Sequence, residues 1–590
     1  MKKIFSFLGR RYDPPSPLEI QAIIRRFSRI EQAVFLFFVI LLLMGVAGLV
    51  WGINNTFSKE APANRGTWRE GVVGLPHTTN PLLALSDTDR DLISLIYAGL
   101  MRPDGLGRLQ NSLAENYTIS PDGLVYTFIL KENLTWQDGK PFTTNDIAFT
   151  IALAQNPELK SPVRASWEGV NVAIKNDREI EFRLEQTYAP FLENTTLGIL
   201  PKHIWNGIPI EQLSLSKFNI EPVGAGPYKV NAIERNSSGI ITKYVLQAFK
   251  DYALGEPFIS SFEFRFYPSE RSLLAAFEKR EINGIAGISP QRLPDAEHQW
   301  TTLHALTLPR VFGIFFNQNK KDAFSKQEIR EALRRAVDRE RITKEVFGGF
   351  AKSLFSPIPP GTLGALDIAN DPSFVSMSSP EEALRLFERN GWSQKIPGEN
   401  KDMPTNTTKL TNKKGDIFRF TLATSNVPDL VRTAELLKEM WGALGIEVEL
   451  RIFEASDLNQ NVIRPREYEA LLFGEIVGRD PDPFSFWHSS QRNDPGLNIA
   501  LYTNAMVDTL LEKARMLSDE AERKEKYEAF QKEIIRDDAA IFLYSPLYLY
   551  ITDNRLKGFN TENITVPAER YANIHAWYLH TKKVFSFFNL

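Results

Sequence analysis

Residues 473–488, FGEIVGRDPDPFSFWH, of the 590-residue chain combine aromatic surface with closely spaced charges of both signs. Three acids, Glu475, Asp480 and Asp482, stand beside one cation, Arg479, among the rings of Phe473, Phe484 and Trp487. A cleft that encloses a zwitterion needs that combination, because a charge taken out of water must meet an opposite one. The same acids read equally as caps of short helices in a proline-rich loop that faces water. Phe484 and Trp487 read as stacking walls or as core. The pair Asp480 and Asp482 also suits glycoside hydrolysis, which turns on a carboxylate separation that sequence does not give.

Nucleophilic and metal chemistry find less support. The chain has no cysteine, which excludes disulfides, thiolate nucleophiles, cysteine metal sites and a lipid carried on cysteine. None of the seven histidines falls in an H-E-x-x-H, and no G-x-S-x-G elbow occurs. His203 has no second histidine or carboxylate at helical spacing and reads as a packed or capping residue. No catalytic residue, metal ligand or cofactor is expected. A net charge of −3, with no dense Lys/Arg stripe in the body, predicts no attraction to nucleic acid.

At 590 residues the chain has length for two to four domains, and its 43% hydrophobic content supplies large cores. Residues 33–51, AVFLFFVILLLMGVAGLVW, carry no charge, about the length of a membrane-crossing helix. Lys2, Lys3, Arg10, Arg11, Arg25, Arg26 and Arg29 precede it, against Lys59, Arg65 and Arg69 just after. That asymmetry places the amino end in the cytoplasm and the body outside. A cleaved signal peptide is the rival, but its apolar region would be long and Ala61-Pro62-Ala63 lies far downstream as a cleavage site. An uncleaved anchor is favoured. Residues 18–29 have the pattern of a basic amphipathic helix at the inner membrane surface.

The elements that must position the charged stretch begin at residues 111–150. Ser120-Pro121-Asp122-Gly123 is a turn, since Pro presets φ and Gly accepts the tight backbone that follows. Residues 125–130, apolar on both alternations, predict a strand covered on both faces. Thr143 to Asp146 precede an apolar helical run with cap-competent side chains. Ser120, Asp122-Gly123, Tyr126, Phe128, Leu130, Trp136, Asp138-Gly139, Pro141-Phe142-Thr143 and Asp146 stand at fixed spacing. So do Tyr97-Ala98-Gly99-Leu100 and Pro222-Val223-Gly224-Ala225-Gly226-Pro227-Tyr228.

Together these motifs resemble the bacterial extracellular solute-binding proteins of the peptide/nickel-binding class, the receptors of ABC importers (solute-binding family 5). The resemblance implies a class II, two-lobe α/β periplasmic-binding-protein-like fold with an additional domain. It predicts a first lobe from residues 66–97, 218–306 and 540–590, an additional domain at 98–217 and a second lobe at 307–539. A basic segment (1–32), the anchor (33–51) and a linker (52–65) precede them. It implies a receptor that delivers an oligopeptide or related small solute to permease subunits, working as a monomer outside the cell membrane. The alternatives are a membrane-tethered hydrolase, or a structural, chaperone or signalling module on the same fold.

Tyr97 joins the candidate ligand contacts through its motif, although core packing is its simpler role. In the family the run D-Y-x-D-P stands where this chain has residues 479–483, and its first Asp meets the amino terminus of a bound peptide. The matching position here is Arg479. Either Asp480 or Glu475 is shifted to the amine, or the ligand is not an ordinary free-amino peptide.

Overall fold

The structure, a computed structural model, describes residues 27–367, 378–395 and 408–585. Most of the basic amino-terminal segment, and most of the amphipathic helix expected at 18–29, lie outside them. The chain divides into two compact units, Met1–Ala63 with His580–Leu590, and Asn64–Leu579.

In the smaller unit one helix runs Arg29–Phe57, about 43 Å at 1.5 Å per residue. Its stretch Arg29–Leu49 has a mean hydropathy of 2.5 and is long and apolar enough to cross a membrane. Phe37, Phe38, Leu42 and Leu49 stand exposed on it. The helix passes into a strand, Ser58–Pro62, that pairs antiparallel with Thr581–Phe585 in register from Ser58↔Phe585 to Pro62↔Thr581. The linker expected at 52–65 is therefore helix and strand, because no proline interrupts the run before Pro62. Residues 581–585, expected in the first lobe, belong to this clasp.

The larger unit is built on a 12-stranded sheet among the described residues. Strand Ser261–Tyr267 shows why it forms: Phe262, Phe264 and Phe266 are buried on one face while the polar residues alternate outward. It lies parallel to Thr67–Val73, whose Trp68 is fully buried. The 14-residue strand Ala540–Asp553 runs through the middle of this sheet. Residues 540–544 pair with Arg310–Phe316, and residues 547–553 pair with Thr301–Thr307. At the change-over Ser545 Oγ donates to the Leu308 carbonyl at 2.9 Å. The crossing is also held by the antiparallel strand Ala351–Ser353, which stands opposite residues 544–546, and by the Leu547 N–H, which donates to the Phe350 carbonyl at 3.0 Å.

The additional domain carries the antiparallel sheet Ala114–Ile119, Val125–Leu130, Glu179–Arg183, Asn171–Asn176. Tyr126, Phe128 and Leu130 are buried, whereas Val125, Thr127 and Ile129 are only half-buried. The strand is thus covered on one face, since an antiparallel sheet can leave its other face toward water. Asp146 opens the helix Thr144–Gln155 by accepting from the Thr143 N–H at 2.9 Å.

Three of the sequence motifs meet. Gln137 donates to the carbonyls of Ile96 (3.1 Å), Gly226 (3.2 Å) and Tyr228 (2.7 Å), and accepts from the Gly224 N–H at 3.0 Å. A β-carbon on Gly224 would sit 1.9 Å from the Ile96 carbonyl oxygen, so only glycine fits there.

A buried ionic knot ties the first lobe together. Arg570 is fully buried and donates to Glu70 (3.0 and 3.1 Å) and to both oxygens of Asp91 (2.7 and 2.6 Å). Trp68, Tyr550 and Tyr571 complete the bonds to Glu70 at 2.9, 2.7 and 2.5 Å. Removing one partner of such a group strands the others without water or countercharge. Arg570→Ala is expected to destabilise the first lobe by about 3–5 kcal/mol. Urea unfolding followed by tryptophan fluorescence checks this, with exposed Arg451→Ala as control; a loss no larger than the control's would contradict it.

Candidate functional site

Arg479 follows the strand Ala470–Ile476 of the second lobe and reaches across to the rest of the molecule. It donates to Glu193, on the short helix Phe191–Asn194 of the additional domain, and at 2.8 Å to Glu569 of the first lobe. All three groups are largely buried, with side-chain exposures of 12%, 28% and 16%. The Thr565 N–H donates to Glu569 at 2.7 Å and fixes it. Burial pushes the Glu193 carboxyl up to about 7; Arg479 opposes the rise, while Glu569 and Asp480 add to it. Two carboxylates share one guanidinium.

Asp480 and Asp482 turn away from this triad into ion pairs of the second lobe. Asp480 accepts from the Tyr527 hydroxyl at 2.8 Å and pairs with Arg523 at 3.1 Å, both on the helix Glu520–Arg536. Asp482, at φ +29°, receives a two-pronged pair from Arg515 at 2.8 and 2.7 Å. The Arg515 guanidinium lies 4.1 Å over the Phe484 ring, which in turn stacks on His488 at 4.1 Å. The Arg515 carbonyl accepts from the Ala189 N–H at 3.0 Å, a main-chain bond to the additional domain. Asp482 and Arg515 border a cavity of about 490 Å³ shared with Tyr188 and Phe191.

The other candidates are placed differently. Trp487 is core, packed among Phe315, Phe530 and Phe542, and Phe473 lies half-buried against the same cluster. Glu475 is buried on the sheet, and its Oε1 has no hydrogen-bond partner among the described residues. Burial alone pushes its carboxyl up to about 8. It borders neither of the two cavities at this site.

Tyr97 closes the helix Asp87–Ile96, on which Asp91 holds Arg570. It is buried, and its hydroxyl has no hydrogen-bond partner among the described residues. It lines a second cavity, of about 420 Å³, with Arg102, Tyr252, Glu569 and Tyr571. The structure thus brings Tyr97 and the Arg479 triad to one place through Glu569. A larger cavity, of about 920 Å³, lies beside Arg339, Leu354 and Ser356 and contains none of these residues. Sequence reasoning missed Glu193, Glu569, Arg102, Arg515 and Arg523. The one signal available for Glu569 was a charged pair, Glu569-Arg570, set between Pro567 and Tyr571.

Comparison with known proteins gives this geometry a context. The family described as bacterial extracellular solute-binding proteins, family 5 (middle), matches residues 108–497. The chain is 28% identical over 537 residues to the oligopeptide-binding protein AppA of Bacillus subtilis (strain 168), covering 89% of this chain and 94% of that protein. The solved structure of that AppA, in complex with a nonapeptide, superposes with a TM-score of 0.66 at 27% identity, covering 88% of this chain and 100% of AppA. The ABC transporter substrate-binding protein CtaP of Listeria monocytogenes gives 0.73 at 26% identity, over 88% of this chain and 100% of CtaP. NikZ of Campylobacter jejuni, solved with Ni(L-His), gives 0.66 at 25%, over 87% and 99%. The matched family consists of substrate-binding proteins, not enzymes.

Glu475 carries a measurable consequence. Its carboxyl keeps its proton up to about pH 8 in the folded chain, but titrates near about 4.3 when unfolded. The folded state therefore binds more protons across this window, and stability falls as pH rises through it, by on the order of 3 kcal/mol at pH 7. Glu475→Gln should remove that slope. Urea midpoints at pH 5 and pH 8 test it; an equal loss in the variant and the parent would refute the assignment.

Proposed function

Because the chain belongs to the bacterial extracellular solute-binding proteins of family 5, we propose that it captures an oligopeptide or related small solute and delivers it to the permease of an ABC importer. The cavity beside Tyr97 and the cleft crossed by Arg479 are the proposed site. The observation that carries this reading is the triad of Arg479, Glu193 and Glu569, an ion-pair contact between the two lobes and the additional domain next to an open cavity. A solute that touches both lobes favours the arrangement in which both sets of contacts are made. The lobe boundaries read from sequence are kept in this proposal, except that the first lobe ends at Leu579 and residues 540–544 join the second lobe's sheet. Turnover of the solute is not part of this function.

We further infer that the helix Arg29–Phe57 stays attached and crosses the membrane once, with the large unit outside. Cleavage after Ala61 or Ala63 would fall in or next to the strand Ser58–Pro62 and separate it from the body that carries its partner Thr581–Phe585.

Two measurements test these readings. Native mass spectrometry of the detergent-extracted full chain should show one small molecule per protein, released on denaturation and identified as short peptide. A chain that is empty, and that no peptide mixture stabilises thermally, would contradict peptide capture. Alkaline washing of membranes should leave the chain, with its amino-terminal peptides intact, in the pellet; its release as a shortened soluble form would contradict the anchor.

A further inference from the structure

We propose that Arg102 and the Tyr97 hydroxyl form an anion subsite in the 420 Å³ cavity, which takes the free carboxylate of the solute. The proposal deepens the receptor reading and rests on it. Arg102 lies on the strand Met101–Pro103, five residues beyond Tyr97, and both residues line the cavity. Its Nη1 donates to two main-chain carbonyls, Ala572 at 2.5 Å and Pro103 at 3.4 Å. Its Nε has no partner, and no carboxylate lies within ion-pair distance of it, among the described residues.

The neighbouring charges do not neutralise it. Asp104 is held by Arg108 at 2.9 Å, and Glu115 by Arg178 at 3.0 Å. Lys131 raises the local positive charge further; its Nζ donates only to the Ala253 carbonyl, at 3.3 Å. Arg90, on the cavity wall, is already paired with Asp87 at 3.0 Å. Glu569 borders the same cavity but is held by Arg479 and the Thr565 N–H. His575, whose pKa burial, Arg102 and Lys131 together push down to about 4, stays neutral and supplies no countercharge.

A half-buried guanidinium without a countercharge is costly, and a carboxylate is the group that answers it, through charge-assisted hydrogen bonds. Tyr97 points the same way on separate grounds. It is 4% exposed, its hydroxyl is unpartnered, and burial holds its pKa well above the usual tyrosine range, so it remains an O–H donor. Two orphan donors lining one cavity, the Tyr97 hydroxyl and the Nε of the unmatched Arg102 cation, define an anion site. The cavity is of the size that encloses a small ligand. The carboxylate can come from the C-terminus of a short peptide or from a free organic acid, and the test separates them.

Calorimetry on the detergent-extracted full chain would compare trialanine, its C-terminal amide, its N-acetyl form and succinate. Trialanine should bind at least tenfold more tightly than the amide. Arg102→Gln should weaken trialanine about tenfold and leave the amide unchanged, which loss of fold alone would not do. Tyr97→Phe should weaken trialanine severalfold without changing the melting temperature. If Arg102→Gln fails to fold, the amide comparison on the parent chain and Tyr97→Phe still decide. Equal affinity for trialanine and its amide overturns the subsite and leaves the receptor reading intact. Succinate binding that Arg102→Gln abolishes, with no peptide bound, keeps the subsite and assigns it to organic acids. Binding of neither class overturns both readings.

Discussion

The buried guanidinium of Arg570 is the constraint on which the first lobe and the site both depend. Glu70 lies 500 residues before it and Asp91 479 residues before it, so one side chain closes the beginning of the large unit onto its end. Two acids so close together would repel unless this cation lay between them, and burial pushes the Asp91 carboxyl up to about 6 even with Arg570 opposing. The knot also sets positions that matter for recognition. Asp91 fixes the helix whose end is Tyr97, and Arg570 fixes the turn that presents Glu569. A fully hydrogen-bonded polar network of this kind rigidifies its surroundings, because any shift leaves a buried charge unpaired.

Much of the fold was legible because it is written locally. Turn residues, a helix start at Thr143 to Asp146 and the phenylalanine alternation of residues 262–266 each report on a few neighbours. The meeting of Gln137, Gly224 and Tyr97's helix was not legible, and part of its cause is steric: Gly224 leaves no room for a β-carbon against Ile96. The misreadings have equally physical sources. Alternation of apolar types at residues 125–130 cannot say whether the second face is covered, since that depends on what packs there. The clasp of residues 58–62 with 581–585 joins opposite ends of the chain, and neither strand has a strong pattern of its own.

The site itself was half legible. The stretch 473–488 declared its charges but not their partners, because those lie 286 and 90 residues away for Arg479. Asp480 and Asp482 looked available for a ligand and are instead consumed by Arg523 and Arg515. Arg479 stands where the resemblance implied an acid, and Glu193 and Glu569, distant in sequence, meet its charge. A substitution that looked like a change of ligand is also a change of internal pairing.

The crossing strand Ala540–Asp553 bears on how the chain reaches this structure. Each lobe needs a part of that strand at its centre, and it is made only after more than nine-tenths of the chain. Strands such as Thr301–Thr307 and Arg310–Phe316, which pair with it, must therefore wait with unpaired edges while the rest is synthesised and exported. Closing contacts between residues so distant in sequence is slow, and open edges invite association in the interval. A strand shared by both halves of the sheet makes the protein's last stretch the step that commits both to fold.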